Sequence, residues 1–205
     1  KLTAHTGMDA LTHAIEAYVS TANSAFSDPL ALKAISDIYD CLIDSYHGDV
    51  EARGKMHVAQ CLAGMAFSNA LLGIVHSLAH KVGAEYEIPH GCCNAILLPF
   101  VIQYNSRACM ERYAQIARAI GLSGSTDKQL CNALVDSIKE LNKKLDIQQT
   151  YRDNGVSDET FNAHVDDIAK NATADPCTAS NPRPIDPETM KKVLQCAFTG
   201  DDVTF

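Results

Sequence analysis

The sequence predicts an all-α domain, and three observations carry that expectation. Apolar residues recur at helical spacing through most of the chain, cap-forming residues and prolines precede several of these segments, and no stretch sustains the apolar–polar alternation of a strand. Apolar residues make up 46% and charged residues 20% of 205 residues, a balance that lets one domain of ordinary size, residues 1–205, build a proper core.

A first helix is predicted from about Thr6 to Tyr18. A second starts at Asp28-Pro29, where aspartate suits the N-cap and proline the first helical position, and stops near Tyr46 before Gly48. The third covers about Glu51 to Leu72, and after Gly73 a shorter helix follows from Ile74 to about Ala84. The Ile88-Pro89-His90-Gly91 stretch forces a turn. Beyond it, helices are expected over Cys92 to Tyr104 with a kink at Pro99, Met110 to Ile120, Asp127 to Leu145, Asp158 to Ala169 and Pro187 to Phe198. The polar stretch from Asn171 to Asp186 reads as irregular.

A formal net charge of −8, with no basic face, disfavours a nucleic-acid partner. Eight cysteines are scattered through apolar segments without a CxxC spacing; Cys41, Cys61, Cys109, Cys131 and Cys196 read as core filler, and a reducing cytoplasm is the expected location. Eighteen residues from Val58 to Val75 carry no charge, but Gln60, Ser68, Asn69, Gly64 and Gly73 interrupt them, so a buried central helix is expected and no membrane partner. The start, Lys1-Leu2-Thr3-Ala4-His5, lacks the apolar core of a signal peptide. No GxGxxG turn, GxxxxGK[ST] loop or GxSxG elbow is present.

The chemistry-bearing residues are histidines and one aspartate. Asp9 and His13 lie four apart on a predicted helix, which suits two ligands on one metal and equally a carboxylate–imidazole hydrogen bond on a helix surface. His76 and His80 repeat the spacing among Ile74, Val75, Leu78 and Val82, where buried histidines require polar partners whether or not they bind metal. His90 stands at the Pro89-Gly91 turn. One aspartate with three histidines would hold a divalent first-row metal; iron, zinc, nickel and cobalt all suit these donors.

Two segments make the chain recognisable. Thr6-Gly7-Met8-Asp9-Ala10-Leu11-Thr12-His13-Ala14-Ile15-Glu16-Ala17-Tyr18 closely resembles the signature opening the helical domain of the iron-containing (group III) alcohol dehydrogenases. The second comprises His76-Ser77-Leu78-Ala79-His80-Lys81-Val82-Gly83-Ala84, Ile88-Pro89-His90-Gly91 and Asn94-Ala95-Ile96-Leu97-Leu98-Pro99. The resemblance runs from Lys1 to about Phe198, including the Asn181-Pro182-Arg183 element, and implies the dehydroquinate synthase-like, iron alcohol dehydrogenase C-terminal type of helical domain.

By that resemblance the metal ligands are Asp9, His13, His76 and His90, with 63 residues between the middle pair and 14 between the last. His80 corresponds to a residue beside substrate and nicotinamide, in a catalytic role of proton relay or positioning. Phe67 corresponds to an aromatic wall of the substrate pocket, and Cys177, in Asp175-Pro176-Cys177-Thr178, to a segment lining the same pocket. The implied activity interconverts a small alcohol and its aldehyde or ketone, with Fe(II) as metal, Zn(II) as its chemical competitor, and NAD or NADP as redox cofactor. The nucleotide would be bound mainly by an N-terminal α/β domain that family members carry and this chain lacks, so the fragment alone is expected to be inactive. The family also implies a homo-oligomer for the full-length protein. Three alternatives remain at this point: a zinc-dependent, glycerol dehydrogenase-like enzyme, a free-standing helical metal hydrolase, and a binding module whose histidines only fill a polar core.

Overall fold

Local capping chemistry sets most helix starts. In a computed structural model describing residues 1–205, the chain forms α1 (Leu2–Val19), α2 (Ser27–His47), α3 (Val50–Ala70), α4 (Ile74–Tyr86), α5 (His90–Ala119), α6 (Asp127–Lys144), α7 (Asp158–Thr173), a 3₁₀ turn (Pro176–Ser180) and α8 (Pro187–Thr199), with no strand. Asp49, Thr126, Ser157 and Asp186 each accept a backbone N–H from the third residue beyond, at 2.7, 3.2, 3.1 and 2.7 Å, so four helices begin on a satisfied donor. Gly48 and Gly200 end α2 and α8 in the left-handed conformation.

Helix α1 lies at the centre, packed against α2, α3 and α5; α5 in turn contacts α4, α6 and α8, and α7 packs on α4 and α8. The buried apolar side chains form one contiguous cluster rather than two cores.

Several sequence expectations need correction. The N-cap of α2 is not Asp28: the helix starts at Ser27, where Ser24 and Ser27 exchange backbone-to-hydroxyl bonds, and Asp28 instead pairs with Arg112 at 2.8 Å. The segments on either side of Tyr104–Met110 are one long α5 whose non-helical backbone falls at Cys109 (φ −141°, ψ 40°), not at Pro99. Proline at that position frees the Ala95 carbonyl, and the Asn142 side-chain amide of α6 donates to it at 2.7 Å. His90 is the first residue of α5 rather than part of a free turn. The stretch read as irregular includes the end of α7 and the 3₁₀ turn.

The uncharged Val58–Val75 stretch is not one buried helix. No single helix is long and apolar enough to cross a membrane; α3 and α4 meet at 107°. Leu71 turns the corner with φ 64°, a conformation costly for a leucine, and hydroxyls of Ser20 and Ser180 hold the Ala70 and Leu72 carbonyls on either side. Only Ala52, Met56, Ala59, Ala63, Ala66 and Ala70 of α3 are buried. Val58, Met65 and Cys61 face outward, so Cys61 is not core filler; Cys41 and Cys131 are buried, while Cys109 and Cys196 are half-buried.

Candidate metal centre

Three helices bring the predicted residues together. Asp9 and His13 leave the same face of α1, and Glu16 follows seven residues after Asp9 on that stripe. Helix α4 carries His76 in its first turn and His80 one turn later. Helix α5 opens with His90, and Gly91 lets it press on the start of α1: a Cβ there would lie 2.1 Å from the His5 carbonyl oxygen.

The start of α4 is capped from elsewhere in the fold. Glu16 Oε1 accepts the Val75 N–H at 2.7 Å and Asn181 Oδ1 accepts the Ile74 N–H at 3.4 Å. Asn181 also exchanges amide bonds with Asn105 of α5 at 2.8 and 2.9 Å, while Arg183 donates to the Tyr104 and Phe205 carbonyls and lies over the Tyr104 ring. The Asn181-Pro182-Arg183 element thus ties the His76-bearing turn to α5.

Asp9, His76 and His90 converge. Asp9 Oδ1 lies 3.5 Å from His76 Nε2 and 3.4 Å from His90 Nε2. Two donors set at the tetrahedral angle, each about 2.1 Å from one ion, stand about 3.4 Å apart, so these atoms fit a divalent cation in spacing as well as in donor type. The Asn94 amide nitrogen donates to Asp9 Oδ1 at 2.6 Å and lies 3.2 and 3.1 Å from the two Nε2 atoms, whereas its buried oxygen has no partner. A polar group at the focus of three electron-pair donors marks a place suited to a positive charge.

His13 flanks this cluster rather than joining it. Its ring is sandwiched between His76 and Phe67, with centroids at 4.4 and 4.5 Å, and its Nδ1 lies 4.0 Å from Asp9 Oδ1. Phe67 is therefore at the edge of the centre, covering His13.

Electrostatics act unequally on the donors, favouring the unprotonated form of Asp9 and His13 and the protonated form of His76. Burial alone would raise the Asp9 carboxyl, but the adjoining His76 and His90 rings outweigh it and hold the group far below the usual carboxylate range. Burial pushes His13 down to about 4, reinforced by the neighbouring His76, which leaves its imidazole neutral near pH 7. For His76, burial acts downward, yet Glu16 and Asp9 overcome it and push the group up to about 9. His76 is 2% exposed, whereas His80 and His90 are each 40% exposed, so the cluster opens on the side of these two rings.

A second group adjoins the first. His80 stacks on His90 and its Nδ1 lies 3.2 Å from Asp175 Oδ2, which also takes the Lys81 ammonium at 2.9 Å; Cys177 N–H donates to Asp175 Oδ1 at 3.1 Å. The cation already on Asp175 marks an ion-paired carboxylate holding His80 rather than a second metal site. Burial would raise Asp175, but Lys81, the Cys177 N–H and His80 hold it down at about 2. Burial, with Asp175 adding to it, pushes the Cys177 thiol up to about 12, so it is no nucleophile at neutral pH.

Sequence reasoning missed Glu16, Asn94, Asp175 and Lys81. Glu16 had a legible signal, the i+7 position after Asp9 and i+3 after His13, but a helical glutamate is ordinarily a solvated surface residue. Asn94 follows His90 by one turn, and Asp175 precedes Cys177 by two; nothing local says what either touches.

The sequence profile of the Fe-containing alcohol dehydrogenase family, C-terminal, matches residues 3–198. The chain is 57% identical over its whole length to NADPH-dependent butanol dehydrogenase of Clostridium saccharobutylicum, covering 53% of that protein. It is 42% identical to lactaldehyde reductase of Escherichia coli (strain K12) over 96% of this chain and 51% of the relative. Among solved structures, 1,3-propanediol oxidoreductase superposes with a TM-score of 0.90 at 38% identity, over 95% of this chain and 51% of that one. The iron-containing alcohol dehydrogenase from Thermococcus thioreducens gives 0.89 at 37% identity, over 97% and 51%. The chain therefore spans about half the length of these relatives. Matches of this extent set aside both the glycerol dehydrogenase-like and the hydrolase alternatives. Sequence, fold and site together place the chain in the Fe-containing alcohol dehydrogenase family, as its C-terminal, helical part.

Proposed function

We propose that this chain is the metal- and substrate-binding part of an enzyme that interconverts a small alcohol and its aldehyde or ketone with NAD(P)(H). The observation that carries the proposal is the convergence of Asp9, His76 and His90 on one point, with His13 alongside. Asp9, His76 and His90 would hold a divalent metal, Fe(II) by the family's name, with His13 as the fourth ligand that the family resemblance implies, and such an ion supplies Lewis-acid polarisation of the substrate oxygen.

The chain's own residues do the rest. Asp175 engages His80 Nδ1, which leaves Nε2 as the ring nitrogen able to receive or return the hydroxyl proton beside the open rim. Phe67 shields His13 and excludes water from that side, while Cys177, a neutral thiol, lines the rim beside His80. Residues outside these 205 would bind most of the nucleotide, in keeping with relatives about twice as long; the NADPH in the name of the Clostridium relative supports a nicotinamide partner. We further propose a cytoplasmic location, supported by eight free thiols, and self-association of the full-length protein, supported by the exposed apolar residues Leu2, Phe26, Val50, Val58, Met65 and Leu71.

Metal analysis of full-length protein purified without oxygen tests the proposal. Iron near one per chain is expected, lost in Asp9→Ala and His76→Ala and retained in His80→Ala, whose turnover with NAD(P)H and short aldehydes should fall by about 100-fold or more. Retention of metal by the Asp9 and His76 variants would refute the ligand set, and metal loss from His80→Ala would refute its role as proton carrier. Zinc in place of iron would reassign the metal while keeping the ligands.

A further inference from the structure

Helix α1 does more than present two ligands. Glu16, 4% exposed, places Oε2 2.6 Å from His76 Nδ1 and Oε1 2.7 Å from the Val75 N–H. A carboxylate oxygen only accepts, so Nδ1 keeps its proton, and the nitrogen left to give up a proton and offer its lone pair to a cation is Nε2. That nitrogen is the one 3.5 Å from Asp9 Oδ1, facing the cluster. The Val75 contact fixes the carboxylate in turn, since both of its oxygens are engaged by adjacent residues of one helical turn.

We propose that Glu16 is a positioning residue of the metal centre, holding His76 in the tautomer and rotamer that aim its Nε2 lone pair at the ion. The inference rests on the metal assignment made above for Asp9, His76 and His90. It makes Asp9-x₃-His13-x₂-Glu16 one functional stripe in which the third residue acts through the neighbouring helix. It also gives Gly73 a reason: its φ of −147° is open to any residue, but a Cβ there would lie 2.8 Å from Glu16 Oε1 and 3.0 Å from Asn181 Oδ1. A side chain at position 73 would push the carboxylate off His76.

Glu16→Gln separates positioning from simple capping. The glutamine carbonyl still accepts from Val75 N–H, so the start of α4 is kept, but the amide NH₂ now faces Nδ1 and forces the ring proton onto Nε2. In the full-length protein, with Zn(II) as a diamagnetic probe, chelator competition should show about ten- to hundredfold weaker binding in Glu16→Gln. Side-chain ¹⁵N spectra should show the wild-type His76 protonated at Nδ1 and the variant not. Gly73→Ala, which leaves Glu16 intact, should weaken Zn(II) binding in the same direction. Folded variants that bind Zn(II) within twofold of wild type, with Nδ1 still protonated, would overturn the role of Glu16 while leaving the metal centre standing. A wild-type protein that takes up no Zn(II), with Asp9→Ala indistinguishable from it, would overturn both.

Discussion

Helices α1 and α3 run side by side, and their sequences mislead in opposite directions. The α1 segment carries Thr12, His13 and Glu16, yet twelve of its eighteen residues are buried. By contrast, α3 holds most of the longest uncharged stretch in the chain, yet only six of its twenty-one residues are buried, five of them alanines. Two helical stripes are available on α3: Val58, Cys61 and Met65 on one, Ala52, Ala59, Ala63, Ala66 and Ala70 on the other. Hydropathy favours the first, and the fold buries the second. The neighbouring faces explain why, since α1 contributes Ala4, Ala10, Ala14 and Ala17 to the core and α2 contributes Ala31 and Ala34. Small side chains on facing helices let the backbones approach, so this face of α3 is filled mainly by methyl groups, with Met56 the one larger buried side chain. Burial of polar residues on α1 is tolerated for the complementary reason, that each finds a partner: Thr12 donates to the Met8 carbonyl at 2.8 Å, and Glu16 takes two donors.

The contrast predicts a graded series of effects. Gly91→Ala strikes backbone where α5 meets α1, and should cost about 3 kcal/mol in urea unfolding; a loss below about 1 kcal/mol would show that the two helices can separate freely. Acid should act next. The folded-state value of Asp175 lies near 2, below its ordinary 3.8, so its stabilisation is complete above about pH 4 and disappears as pH falls through about 2. Wild type should therefore hold an advantage of about 2 kcal/mol over Asp175→Asn at pH 7 that closes between pH 4 and 2, and a constant gap would contradict the ion pair with Lys81.

The exposed helix should respond in the other direction. A Cβ at Gly64 meets nothing within 4 Å, so Gly64→Ala should stabilise by about 0.5–1 kcal/mol, read as a higher urea midpoint with unchanged slope. Smallest of all, Val58→Gln and Met65→Gln should each change stability by less than about 0.5 kcal/mol. A substantial loss in either would place that stripe against something and erase the contrast with α1.

Periodicity, prolines and capping residues located the helices and their order, because these signals are local: Pro187 just inside α8 and Gly48 just past α2 act within a few residues of themselves. The two signature segments likewise named Asp9, His13, His76 and His90 before any geometry was known. What lay beyond reach depends on parts of the chain far apart in sequence. Glu16 touches His76 across sixty positions, Asp175 touches His80 across ninety-five, and the Ala95 carbonyl freed by Pro99 is answered by Asn142. The sequence by itself determined which residues could bind a metal and which segments would be helical. Only the tertiary structure decided that α3 turns its alanines inward, that His13 sits beside Asp9 rather than in line with His76 and His90, and that a buried carboxylate stands behind the ligand on α4. Each of those outcomes is set by the closeness of helix axes and the pairing of buried polar atoms, and no local pattern of residue types encodes either.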